Sequence, residues 1–147
     1  FNPSPELARE LGVELTSFEE LLRGSDIISL HLRLTPDSRG LLGEREFSLM
    51  KEGAIFINTA RGPIVDEEAL FKALTSGRLS GAGLDVFCEE PLRPGHPLTG
   101  LPNTVLTPHC AGVTPEATLA GLMLAVENIE NFLKGEPRNL VRATVGS

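Results

Sequence analysis

The chain has 147 residues, enough for one domain with its own core, and its 13 Lys and Arg against 20 Asp and Glu leave a formal charge of −7. No segment gathers Lys or Arg into a stripe, which argues against nucleic acid as a partner. With 41% hydrophobic and 22% charged residues the composition is that of an ordinary globular protein, and no apolar run approaches the roughly 18 residues of a membrane span. Cys88 and Cys110 are too few for a disulfide framework and have no CxxC or Cys/His spacing, so no metal site is expected and the cytoplasm is the expected location.

In chain order, Phe1-Asn2-Pro3 shows neither a methionine nor a signal-like segment and reads as the start of a fragment. Ser4-Pro5-Glu6 predicts a helix start, with Gly12 as its stop. "VEL" at 13–15 predicts a short strand. Ser17 and Glu20 form a capping box for a helix ending at Gly24. "DIISLHL", 26–32, predicts a strand buried on both faces. "TPDSRG" is a turn, followed by a short helix around Phe47–Lys51 and the strand "AIFIN" at 54–58. Asp66 caps a helix with Ala69, Leu70, Ala73 and Leu74 on one face and Gly77 as its stop. "GAGLDVF", 81–87, predicts a strand, Cys88–Asn103 a long loop without regular structure, and "TVLTP", 104–108, a last strand. Thr114-Pro115-Glu116 opens the longest helix, striped with Leu119, Leu122, Met123, Val126, Ile129 and Leu133 and ending at Gly135; core packing is the expected reason for the stripe.

This alternation predicts the α/β class, a Rossmann-like, doubly wound parallel sheet with helices on both faces. Ligands of such sheets bind beyond the carboxyl ends of the strands, at the crevice where strand order reverses. The chemically able residues fall at those ends. Asn58-Thr59-Ala60-Arg61 follows one strand, Asp85 with Glu89 and Glu90 follows the next, and His109 follows the last. A cation for a carboxylate, a proton-transferring imidazole and an acid to tune it would converge there. Chemistry alone does not separate Glu89 from Glu90. His31, inside an apolar strand, is expected to be a satisfied core residue, and His96 an exposed loop residue. Cys88 and Cys110 are expected to be small buried hydrophobes.

"INTARGPIVDEEALFKAL", "GAGLDVFCEEPL" and "LPNTVLTPHCAG" resemble, in order and spacing, the signatures of the D-isomer-specific 2-hydroxyacid dehydrogenases, and the likeness spans nearly the whole chain. It implies an oxidoreductase that transfers a hydride between a nicotinamide cofactor and a small 2-keto or D-2-hydroxy acid. The implied catalytic residues are Arg61, which clamps the substrate carboxylate, His109, the acid/base, and Glu90, its partner. The implied cofactor residues are Asn2, Leu32, Thr59, Ala60, Arg61, Asp85, His109 and Gly112, with Asp85 on the nicotinamide carboxamide. A homodimer is implied for the full-length protein. The physics agrees: a planar guanidinium gives a carboxylate two parallel hydrogen bonds, and hydride arriving at a carbonyl carbon builds charge on oxygen that an acid must quench.

The sequence departs from the family in three ways. It has no GxGxxG turn, and "GAGLDV" is a decoy that enters a strand instead of a helix. The sheet is therefore read as truncated at its N-terminal side: 1–113 as a partial dinucleotide-binding domain lacking its first strand and glycine-rich turn, 114–147 as a long helix and tail returning toward an absent substrate domain. Alone, such a fragment is expected to be inactive. Asn2 replaces the usual ribose-binding acid, so the expected cofactor is NAD with NADP left open. Arg33 stands where the family commonly has proline and is expected to face solvent. The alternative function is a dinucleotide-sensing, corepressor-like binding protein of the same fold.

Overall fold

The computed structural model describes residues 4–141, which divide into two compact units, one ending at Ala111 and one beginning at Gly112. The first unit opens with α1 (Pro5–Glu10), where Ser4 accepts the Leu7 amide and Gly12 stands at φ 65. The Val13 amide closes back onto the Ala8 carbonyl, the six-to-one bond of a left-handed helix cap. That bond takes the donor a strand at 13–15 would need, and 13–15 is irregular rather than the expected strand. α2 (Phe18–Gly24) has both halves of its capping box, the Glu20 amide on Ser17 Oγ and the Ser17 amide on the Glu20 carboxylate.

β1 (Ile27–Leu30), β2 (Ala54–Asn58), β3 (Leu79–Leu84) and β4 (Thr104–Leu106) form one sheet in the order β1-β2-β3-β4, every pair parallel. α3 (Glu44–Leu49) and α4 (Glu67–Thr75) make the crossovers between β1, β2 and β3. Parallel neighbours need such crossovers, and the sequence meets the need with Gly43-x-x-Glu46 and Asp66 as helix starts. The expected Phe47–Lys51 helix begins three residues earlier, because the Glu46 carboxylate accepts the Gly43 amide. The long loop after β3 includes one 3-10 turn, Pro97–Gly100, that buries Leu98.

The core lies on one side of the sheet. Ile28, Leu30, Ala54, Phe56, Leu79, Ala82 and Leu84 point into it and meet Leu22, Leu42, Phe47, Met50, Leu70 and Leu74. Phe47 and Phe56 pack edge to face at 5.6 Å. Each such side chain stabilises the fold by about 1.5–3 kcal/mol. Alternate positions stay in solvent: Ile27, Ile55 and Val105 are exposed. The strand at 26–32 is thus shorter than expected and covered on one face, not two. Arg78 locks the layers by donating to the carbonyls of Phe47, Ser48 and Met50 at the end of α3.

The second unit is α5 (Pro115–Leu133), capped by Thr114 Oγ1 on the Ala117 amide. None of its residues is buried, so Leu119, Leu122, Met123, Val126, Ile129 and Leu133 form an exposed stripe where core packing was expected.

Candidate active site

Every strand of a parallel sheet ends on the same edge, and that edge gathers the polar residues. β2 ends on Asn58, only 2% exposed. A buried amide must pair. Asn58 does so within its own turn, Oδ1 accepting the Ala60 amide at 3.0 Å and Nδ2 donating to the Arg61 carbonyl at 3.1 Å. The turn presents Arg61 outward with extended backbone, and its Nη1 donates to the Ala60 carbonyl at 2.6 Å. Gly62 follows, and only glycine fits: a Cβ there would stand 2.0 Å from the Phe87 carbonyl carbon and 2.4 Å from the Cys88 nitrogen. The Arg61 turn is therefore seated directly on the peptide that leaves β3.

Beyond β3, Asp85 is 3% exposed. Burial opposes its ionisation, but three donors outweigh that and hold its carboxyl below the usual range. Thr107 Oγ1 donates to Oδ1 at 2.5 Å, the Cys110 amide to Oδ1 at 2.8 Å and the Ala111 amide to Oδ2 at 3.0 Å. The Asp85 carbonyl also accepts the His109 amide at 2.9 Å. One residue thus fastens the whole turn after β4. That turn holds His109 at φ 52, a left-handed conformation that costs a non-glycine residue about 1 kcal/mol or more and that the four bonds sustain.

So placed, His109 Nδ1 lies 2.7 Å from Glu90 Oε2. The other Glu90 oxygen accepts the Phe87 amide at 2.9 Å, and the two bonds, the His109 contact first, pull the carboxyl below its ordinary range. With Nδ1 on a carboxylate, Nε2 is the nitrogen left to exchange a proton with a ligand. Glu89 points elsewhere, to Arg93 at 2.6 Å. Glu90 and His109 stand on the rim of a hollow of about 540 Å³ also lined by Phe87, Leu92, Leu106 and Pro108. Apolar walls around one acid/base pair suit an organic ligand from which water is excluded.

Arg61 opens on a different hollow of about 520 Å³, shared with His31, Leu32, Arg33, Thr59 and Ala60 at the ends of β1 and β2. The structure therefore brings Glu90 to His109 and Leu32, Thr59 and Ala60 to Arg61, in two neighbouring depressions of one edge. Neither Arg61 nor the exposed Arg33 has a carboxylate partner among the described residues, so the second hollow fits an extended anionic ligand such as a dinucleotide. Gly112 begins the second unit, and Asn2 lies outside the described residues.

Several expectations are corrected. His31 is past the end of β1 and exposed, its Nε2 2.9 Å from Ser29 Oγ, because the strand stops at Leu30. His96 is partly buried, 3.4 Å from Glu67, since the 3-10 turn after it folds inward on Leu98. Both cysteines belong to exposed residues, although the Cys88 thiol is tucked against the Val65 carbonyl at 3.7 Å. Sequence reasoning named Asn58 at a strand end but gave it no role, and it missed the use of Asp85 as a clamp. The signal was present: each is a polar residue at a strand position whose neighbours are apolar, and such residues persist only when paired.

Residues 1–111 match the family model described as D-isomer specific 2-hydroxyacid dehydrogenase, NAD binding domain. A glyoxylate reductase of Aeropyrum pernix is 53% identical over 141 residues, covering 95% of this chain and 42% of that protein. An NAD-complexed D-isomer specific 2-hydroxyacid dehydrogenase of Lactobacillus delbrueckii ssp. bulgaricus superposes with a TM-score of 0.87 at 34% identity, over 96% of this chain and 47% of that one. The dehydrogenase of this kind from Xanthobacter autotrophicus Py2, solved with NADPH and MES, superposes with a TM-score of 0.73 at 44% identity, over 85% of this chain and 51% of that one. The chain spans about half the length of these relatives or less.

Proposed function

Because the chain belongs to the D-isomer-specific 2-hydroxyacid dehydrogenase family through its NAD-binding domain, we propose that it supplies the nucleotide site and the acid/base pair of an NAD(P)-dependent reductase of small 2-keto acids. The observation that carries this reading is the 2.7 Å contact between His109 Nδ1 and Glu90 Oε2 on the rim of an apolar hollow.

Bound nicotinamide dinucleotide supplies the hydride. Arg61 binds the keto acid through its carboxylate with two parallel N–H donors, and so fixes the carbonyl relative to His109. Glu90 holds the imidazolium by accepting from Nδ1, leaving Nε2–H to donate as negative charge grows on the substrate oxygen. Such proton donation contributes about 10²–10⁴-fold. In the oxidative direction neutral Nε2 accepts the hydroxyl proton. Asp85 keeps His109 in its left-handed turn, and Leu32, Thr59 and Ala60 border the dinucleotide, with Asn2 and Gly112 as further cofactor contacts. Asn2, without the charge of an acid, admits NADP as well as NAD.

In this reading a substrate domain completes the cleft and the working protein is a homodimer. The test is steady-state oxidation of NADH and NADPH by the protein that carries this domain together with such a substrate domain, supplied with glyoxylate, hydroxypyruvate and 3-phosphohydroxypyruvate. Turnover with at least one acid is expected. Dinucleotide binding without oxidation by any of them refutes the reductase and favours a dinucleotide-sensing binding protein.

A further inference from the structure

Glu67 is a half-buried carboxylate that neither the fold nor the proposed chemistry explains. It is the first residue of α4, but that helix start is already satisfied by Asp66, whose Oδ1 accepts the amides of Glu68 and Ala69. A side chain only 20% exposed has surrendered much of its hydration and needs partners in return. Both of its partners lie on the loop after β3. Oε1 accepts the Cys88 amide at 2.6 Å, and Oε2 lies 3.4 Å from His96 Nε2.

Cys88 and His96 are the two ends of the segment that carries Glu90. The first end is held most closely. Adjacent amides go to different carboxylates, Phe87 to Glu90 at 2.9 Å and Cys88 to Glu67 at 2.6 Å. Behind that same peptide sits Gly62, with no room for a side chain. At the other end the His96 ring has its Nδ1 buried and without a hydrogen-bond partner, so its Nε2 edge is the one engaged. The Cys88 thiol is pushed up to about 11, by burial first and then by the nearby Glu67 carboxylate, so it is a poor nucleophile.

Between its ends the segment has Leu92 packed against the core and few polar ties besides. The Glu89–Arg93 ion pair is exposed, and the His96 amide reaches back to the Arg93 carbonyl. The position of Glu90 therefore follows from where its ends are pinned. We propose that Glu67 is a positioning residue for the acid/base pair, a clasp that grips the Cys88 end of the Cys88–His96 loop by its amide, with His96 of the other end beside it, and so holds the Glu90 carboxylate against His109 Nδ1. The inference rests on the reading of His109 as proton donor, and it adds a residue to that reading from outside the two hollows. It also joins the Arg61 turn to the Glu90 loop, since Gly62 and Glu67 press on the same peptide from two positions of one chain segment.

The test is NMR on the chain itself, which needs no turnover, so that failure of the reductase reading and failure of the clasp are separable. In the wild-type chain the Cys88 amide should exchange with solvent at least 100-fold more slowly than the Glu89 amide, which has no partner. Equal exchange overturns the clasp without recourse to any variant. The Glu90 side-chain carbon, followed against pH, should titrate below the ordinary carboxylate range in the wild type. In Glu67→Ala its midpoint should rise by half a pH unit or more, and in Glu67→Gln it should stay near the wild-type value, because the amide oxygen still accepts the Cys88 N–H. A folded Glu67→Ala chain with an unchanged Glu90 titration overturns the proposal. If Glu67→Ala does not fold, the wild-type exchange measurement decides.

Discussion

Replacing Asp85 with asparagine changes one atom's chemistry and leaves the shape intact. In the wild type two carboxylate oxygens accept three donors, from Thr107, Cys110 and Ala111. An asparagine oxygen in place of Oδ1 keeps the first two as neutral bonds, each weaker by about 1 kcal/mol than a bond to a charge. The new NH₂ group then faces the Ala111 N–H, leaving a donor unpaired at a cost of about 1–3 kcal/mol. The expected loss is about 3–5 kcal/mol. In urea unfolding followed by circular dichroism, with a slope of about 1.5–2 kcal/mol/M, the midpoint should fall by about 1.5–3 M. The effect should also depend on pH in a defined direction. The folded-state pKa of Asp85 is depressed, so its contribution is complete above the unfolded value of about 3.9 and disappears as pH falls through the lower folded value. Wild type and variant should therefore converge in stability on the acid side. A midpoint shift below about 0.3 M at neutral pH, or a gap that persists unchanged at pH 2, would refute the view that this carboxylate fastens the His109 turn.

Gly62→Ala forces a Cβ to within 2.0 Å of the Phe87 carbonyl carbon, and the backbone must part; a loss of at least about 2 kcal/mol is expected in the same urea assay. Phe56→Ala empties a site that is fully buried and packed edge to face with Phe47, and should cost about 3–5 kcal/mol, read as the drop in thermal midpoint. In a protein that carries this domain together with a substrate domain, and on the proposed reading of Arg61, Arg61→Lys keeps the charge and loses one of two parallel hydrogen bonds. KM for the keto acid should rise about thirtyfold in steady-state kinetics, equivalent to about 2 kcal/mol.

Much of the fold could be read from residues because local chemistry and tertiary need coincide. "AIFIN" is a strand at the predicted residues, the Ser17–Glu20 box and the Asp66 cap start helices where their side chains meet orphan amides, and the parallel order follows from the alternation of strands and helices. Val13–Leu15 failed because β-branching gives an inclination to extend but no partner to pair with, while Gly12 offered the amide of Val13 an immediate alternative. Burial on both faces was inferred for 26–32 from composition alone, and composition does not reveal which face a neighbour covers. At the candidate site, the meeting of Glu90 with His109 came from the order of strand ends together with a family signature, since Glu89 and Glu90 are chemically identical. What the sequence hid was support. Asp85 and Glu67 act on residues 22 to 26 and 21 positions away, and only the folded chain makes those separations short, while Asn58 acts two and three positions away through the particular shape of its own turn.

The account's central claim is that His109, held by Glu90, delivers the proton that accompanies hydride transfer to a 2-keto acid. The most direct measurement is single-turnover NAD(P)H oxidation by a protein that carries this domain together with a substrate domain, and by its His109→Gln variant, with dinucleotide affinity measured in parallel. A fall of about 10²–10⁴ in the rate of the chemical step with unaltered dinucleotide binding is the predicted result. A variant that reduces the keto acid at a rate within about threefold of wild type would contradict it.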